Sequence, residues 1–128
     1  MLTAVLGELI PADPATEAHM RVRQSFNALA LADQAIAAKV RLLYDDFHRQ
    51  MADLVRRDQQ AGHIPAALDA REVAAGLVAL AEGLAFYVLI DVTPAATARE
   101  RLSAAIADLY ASAGPSSLDV GEEPRAQG

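Results

Sequence analysis

The residue in this chain best placed to do chemistry is a carboxylate in the middle of an apolar run. Val73–Val92 reads VAAGLVALAEGLAFYVLIDV, twenty residues in which only Glu82, Tyr87 and Asp91 carry a polar side-chain atom. A carboxylate buried there must meet either a cationic or hydroxylated ligand or a cation from a neighbouring helix, because an unpaired buried charge is too costly. Arg23 is the natural partner in the second case. Five aromatic residues, Phe26, Tyr44, Phe47, Phe86 and Tyr87, fall on helical faces that can converge with Met20, Met51 and His48. Such a group is either ordinary core or the apolar wall of a small-molecule site with a few oriented polar groups. The residues expected to line that site are Met20, Arg23, Phe26, Asn27, Tyr44, Phe47, His48, Met51, Glu82 and Phe86. With Glu82 among aromatic faces, it could cage a quaternary ammonium.

Other chemistries find little support. His19, His48 and His63 are far apart, and Asp45, three residues before His48, lies on the solvated face of its helix, so no metal site is expected. There is no cysteine, hence no thiol nucleophile, thiolate metal site or disulfide framework. Ser25, Ser103 and Ser112 have no base at helical spacing, and neither a Gly-x-Ser-x-Gly elbow nor a phosphate-cradling glycine loop occurs. The chain is expected to be neither an enzyme nor the holder of a cofactor. A net charge of −6 argues against a sequence-independent grip on nucleic acid. The apolar run is long enough to span a membrane. Glu82 at its midpoint, five alanines and two glycines, and the lack of a flanking basic cluster argue against that, so no membrane partner and a cytoplasmic location are expected.

The elements that must position these residues read as helices throughout. The composition is 53% hydrophobic, alanine-rich and poor in aromatics, and no alternating polar–apolar run is bounded by turn signals. Leu2–Ile10 has helical spacing for about two turns and stops at Pro11, as the end of a longer helix would. Asp13-Pro14 caps and starts a helix to about Leu31, with Val22, Phe26 and Leu29 on one face. Asp33 can cap the next, whose stripe is Ile36, Val40, Leu43, Phe47, Met51 and Leu54; Gly62 and Pro65 end it. Asp69 with Glu72 has the form of a capping box and launches the apolar helix, expected to end near Asp91. Thr93-Pro94 starts the last helix, whose stripe is Ala98, Leu102, Ala105, Ile106 and Leu109 and which Gly114-Pro115 ends. The expected fold is an all-α antiparallel bundle of about five helices over residues 1–113. Residues 114–128 are polar and without periodicity, which predicts a disordered tail.

The apolar helix has more hydrophobic surface than one chain can cover. Pairing the last two helices with a two-fold copy makes a four-helix interface and predicts a homodimer. The residues expected in it are Leu77, Leu80, Ala81, Leu84, Ala85, Val88, Leu102, Ala105, Ile106 and Leu109.

An ELIP-like helix end, then RVRQSFNALALAD, then KVRLLYDDFHRQMADLVRRDQQAGHIP and LDAREVAAGLVALAEGLAFYVLID, resembles the C-terminal regulatory domain of TetR-family transcriptional repressors over about residues 1–112. The subgroup it is most similar to includes the choline-responsive repressors of betaine synthesis. The resemblance implies an effector-sensing domain that dimerises through its last two helices and binds a small organic ligand, whose binding releases operator DNA. It also implies a helix-turn-helix domain ahead of this one. No such motif occurs in the sequence, so operator contact is expected only through a domain missing here; the chain is expected to be a fragment of a longer repressor or a naturally headless relative, the fragment being favoured. The competing expectation is a helical structural or adaptor homodimer without a small-molecule site.

Overall fold

In the computed structural model, which describes residues 1–112, five helices follow one another. They are α1 (Leu2–Gly7), α2 (Pro14–Leu29), α3 (Gln34–Gln60), α4 (Ala70–Leu89) and α5 (Ala95–Ala111), and no strand occurs among the described residues. The expected tail, 114–128, lies outside them.

The helix boundaries follow from local chemistry. Asp13 accepts from the Thr16 backbone N–H at 2.8 Å, while the Thr16 hydroxyl accepts from the Asp13 N–H at 3.0 Å. This reciprocal cap satisfies two donors that a helix start leaves free, with Pro14 at the first position. The N–H bonds hold the Asp13 carboxyl below its ordinary range. Asp33 caps α3 by accepting from Ala35 and Ile36. At its far end Gly62 takes φ +83°, and the His63 and Gly62 N–H groups donate to the Asp58 and Gln59 carbonyls respectively, the two hydrogen bonds of a left-handed cap. The Gln59 amide then donates to the Pro65 and Leu68 carbonyls at 3.0 and 2.8 Å, tying down the connection to α4.

Three boundary details differ from the sequence-based reading. Asp69 caps α4 as expected, accepting from Arg71 and Glu72 N–H, but Glu72 gives no reciprocal bond. α4 ends at Leu89, because Asp91 adopts φ +62° and lets the Val92 and Thr93 N–H groups donate back to the Tyr87 carbonyl. That reversal buries Thr93, so Pro94 and not Thr93 stands at the α5 N-cap.

α4 is the centre of the molecule and touches each of the other four helices. It is long and apolar enough to cross a membrane by length and composition alone. Packed on all four neighbours, it is the core helix of this bundle. One side of it, Ala70, Ala74, Leu77, Val78, Ala81, Leu84, Ala85 and Leu89, is buried among Met51 and Val55 of α3, Leu102 and Ile106 of α5, and Leu2 and Leu6 of α1. Alanines at four of these positions let the neighbouring backbones approach closely.

This arrangement corrects several face assignments. Leu77, Ala81, Leu84, Ala85, Leu102 and Ile106, expected between two chains, are buried inside one; α4 and α5 use them to hold each other, α1 and α3. Val88, Ala105 and Leu109 are half-buried against the same core. Leu80 alone of the expected interface set is exposed. On α2, Val22 and Leu29 face outward at 70% and 55% exposure, and Met20 is what the helix buries. Leu43 of the expected α3 stripe is also exposed; the residues that α3 buries, Met51, Ala52 and Val55, all lie in its second half.

Candidate functional site

Glu82 stands at the edge of the buried side of α4, and the group it meets is Arg23 of α2. An Arg23 terminal nitrogen donates to Glu82 Oε1, and the Gln24 amide approaches Oε2 at 3.5 Å. The pair is half-sequestered: the Glu82 side chain is 14% exposed and that of Arg23 32%. The Arg23 guanidinium also lies over two aromatic rings of α3, 5.6 Å from the Tyr44 centroid and 6.0 Å from that of Phe47. Burial alone would push the guanidinium down, but the charge and hydrogen bond of Glu82 outweigh it and hold Arg23 above its ordinary value. Tyr44 is pushed up by burial and by the nearby Glu82 charge, so its hydroxyl stays protonated, accepting from the Asn27 amide at 3.0 Å. Its ring also meets that of His48, centroids 6.0 Å apart.

Arg23 and Phe47 form the partition between two clefts. The larger, about 730 Å³, opens between α1, the first half of α2 and α5. Val5, Leu9, Ile10, Met20, Phe47 and Leu102 make its apolar wall, and Thr3, Glu8, His19, Arg23, Arg99 and Ser103 bring polar groups to it. The smaller, about 360 Å³, lies between α2 and α3 and is bounded by Arg23, Asn27, Val40, Leu43, Tyr44 and Phe47.

Of the residues expected to line a pocket, Met20, Arg23 and Phe47 line the larger cleft, and Asn27 and Tyr44 join Arg23 and Phe47 around the smaller. Glu82 lies behind the partition, engaged by Arg23. Met51 is buried in the core, and His48 is half-buried beside Tyr44. Phe26 and Phe86 point away from both clefts and are exposed. Sequence reasoning missed the contributions of α1 and α5. Leu9 and Ile10 showed as apolar periodicity at the chain's start, but Arg99, outside the apolar stripe of its helix, gave no sign of lining a cleft. Among the described residues no cluster of three metal-ligating side chains occurs.

The family model for the C-terminal domain of BetI-type transcriptional repressors, a TetR-family group, matches residues 1–111. The chain belongs to this family. It is a regulatory C-terminal domain of a transcriptional repressor, and the all-helical architecture agrees with that membership. No curated protein and no solved structure matches the chain significantly.

Proposed function

We propose that this BetI-type regulatory domain senses a small organic effector in the cleft between α1, α2 and α5 and acts as a homodimer joined through α4 and α5. The observation that carries the effector half is the partition. A charged, cation–π-stacked arginine between two clefts is a group that a ligand can move, and it links α2, α3 and α4 at one point. A ligand that shifts Arg23 shifts α2 against α4. In a repressor carrying a helix-turn-helix domain, such a shift would alter the spacing of the two recognition helices and release the operator.

The dimer half is supported by the outward side of α4. Gly76, Ala79, Leu80, Gly83, Phe86, Tyr87 and Ile90 are all exposed, and no charge interrupts them. Two mid-helix glycines each cost about 1 kcal/mol relative to alanine. Within the protomer nothing asks for them, since a Cβ at Gly76 or Gly83 would meet no atom within 4 Å. Close approach of a second α4 supplies the missing reason. The interface so formed centres on Gly76, Leu80, Gly83 and Tyr87, a set shifted from the buried Leu77–Leu84 side.

A thermal-shift panel of amines, flavonoids, fatty acids and aromatic acids tests the effector. A ligand at a hundred times its Kd adds about 2.7 kcal/mol, or roughly 10 °C for a domain of this size. No stabilisation by any class leaves a helical dimerisation module without a small-molecule site. Light scattering tests the dimer: twice the 13.5 kDa chain mass is expected, and a 13.5 kDa species refutes it.

A further inference from the structure

The larger cleft gathers two of the chain's eleven basic side chains. Arg23 and Arg99 bring guanidinium groups to its lining, Glu8 is the sole carboxylate there, and His19 adds an imidazole. Arg99 has no carboxylate within ion-pair distance among the described residues. Arg23 holds Glu82 through a terminal nitrogen, but its Nε–H is buried and has no acceptor. An unmet buried donor is rare in a folded protein and marks a place where an acceptor belongs.

The cation reading of Glu82, by contrast, meets an occupied place. The chain's own guanidinium already sits on that carboxylate and over the Tyr44 and Phe47 rings. A cationic ligand must displace a charge-assisted hydrogen bond and two cation–π contacts to gain the same ones. An anion leaves the Glu82 bond in place and finds the unpaired Arg99 and the unmet Nε–H of Arg23 beside an apolar wall.

We propose that the effector is an amphipathic organic acid. Its apolar body lies against Ile10, Met20, Phe47 and Leu102, and its carboxylate is held by Arg99 and by the Nε–H of Arg23. This deepens the effector-cleft reading and rests on it.

Calorimetric titration of the full chain with octanoate, 1-octanol and octylamine, which share one alkyl chain, tests the head group. Octanoate is expected to bind at least tenfold more tightly than 1-octanol, a difference of about 1.4 kcal/mol, and octylamine no better than the alcohol. Arg99 is exposed, so Arg99→Gln keeps the fold, which circular dichroism checks; it should lose tenfold for octanoate and leave 1-octanol unchanged. Arg23→Lys retains a cation facing Glu82 but removes the Nε–H, and should weaken octanoate binding while the unliganded melting temperature moves by only a few degrees. Equal binding of octanoate and 1-octanol, or octanoate affinity unmoved in both variants, overturns the acid head group. Octylamine binding most tightly overturns it too and leaves the effector cleft standing. Failure of all three probes, together with a silent wider panel, removes the cleft as well.

Discussion

Replacing Glu82 by Gln should destabilise the domain by an amount set by how far the Arg23 pair is withdrawn from water. Exposed ion pairs contribute about 0–1 kcal/mol, whereas removing one partner of a buried pair costs about 3–5 kcal/mol, because the other charge is stranded. With Glu82 at 14% and Arg23 at 32% exposure, this pair lies between those limits. Gln keeps an acceptor oxygen but no charge, so Arg23 stays in place over Tyr44 and Phe47 without a counter-ion. A loss of about 1.5–3 kcal/mol follows from interpolating between the two regimes, or roughly 6–12 °C in Tm. The assay is urea denaturation at fixed protein concentration, since association adds its own stability. Arg23→Met, Glu82→Leu and the double variant complete a cycle that isolates the pair. The coupling energy should be about 1–2 kcal/mol and should persist in high salt, because a half-buried pair is poorly screened. The double variant should recover most of the wild-type stability, as apolar replacements of ion pairs do. A coupling below about 0.5 kcal/mol, or one abolished by salt, would refute the view that Arg23 and Glu82 form the structural hinge of the partition.

Four further outcomes are expected. Gly83→Glu, placed on the outward side of α4 where a Cβ has open space, should leave the protomer folded and halve the mass seen by light scattering; an unchanged mass moves the interface elsewhere. The Tyr110 hydroxyl donates to Asp58, and burial and that carboxylate push it up to about 12. Its neutral form is therefore favoured on folding: the contribution is complete below the unfolded value near 10 and disappears as pH rises through about 12. Tyr110→Phe should cost about 1 kcal/mol at neutral pH, and its difference from wild type should vanish above that window in alkaline melts. Asp91 carries the left-handed turn after α4 at φ +62°, so Asp91→Gly should stabilise by about 0.5–1 kcal/mol, whereas Gly62→Ala at φ +83° should lose about 1–2 kcal/mol; equal, small effects would show that neither turn is strained. Leu6, fully buried at the junction of α1 with the core, should cost about 2–5 kcal/mol when cut to Ala, and a smaller loss in chemical denaturation would mean that α1 is not part of the cooperative unit.

The fold was legible in the sequence because its signals are local. Asp13-Pro14, Asp33, Asp69 and Gly62 each act on backbone groups within a few residues, so their types announce the ends of helices without any knowledge of the tertiary structure. Facing is a different matter. Val22, Phe26 and Leu29 look like a core stripe by periodicity, yet α2 turns Met20, Gln24 and Asn27 inward and leaves them outside. Periodicity reports that a side is apolar, not which neighbour covers it. The Arg23–Glu82 pair could be anticipated because a buried carboxylate must find a cation, and few cations lie on helices able to reach it. Arg99 could not, because a charged residue lining an open cleft has the same local pattern as one facing bulk water.

α4 shows the same limit most sharply, for it is apolar nearly all round. When both sides of a helix are hydrophobic, the side with the larger residues is the natural choice for a partner chain. Here the larger residues, Leu77 and Leu84, close the protomer's own core, and the outward side carries Gly76, Ala79 and Gly83 between Leu80 and Tyr87. The physical reason lies in what each contact needs. A protomer core must fill volume to stay free of cavities, so it takes the branched side chains. A crossing between two copies of one helix gains most from small residues that let the backbones approach, with aromatic flanks to cover the seam. Glycines that cost helix stability and serve no contact within the chain are therefore a better pointer to a second chain than leucines, and here they lie opposite the side that holds the domain together.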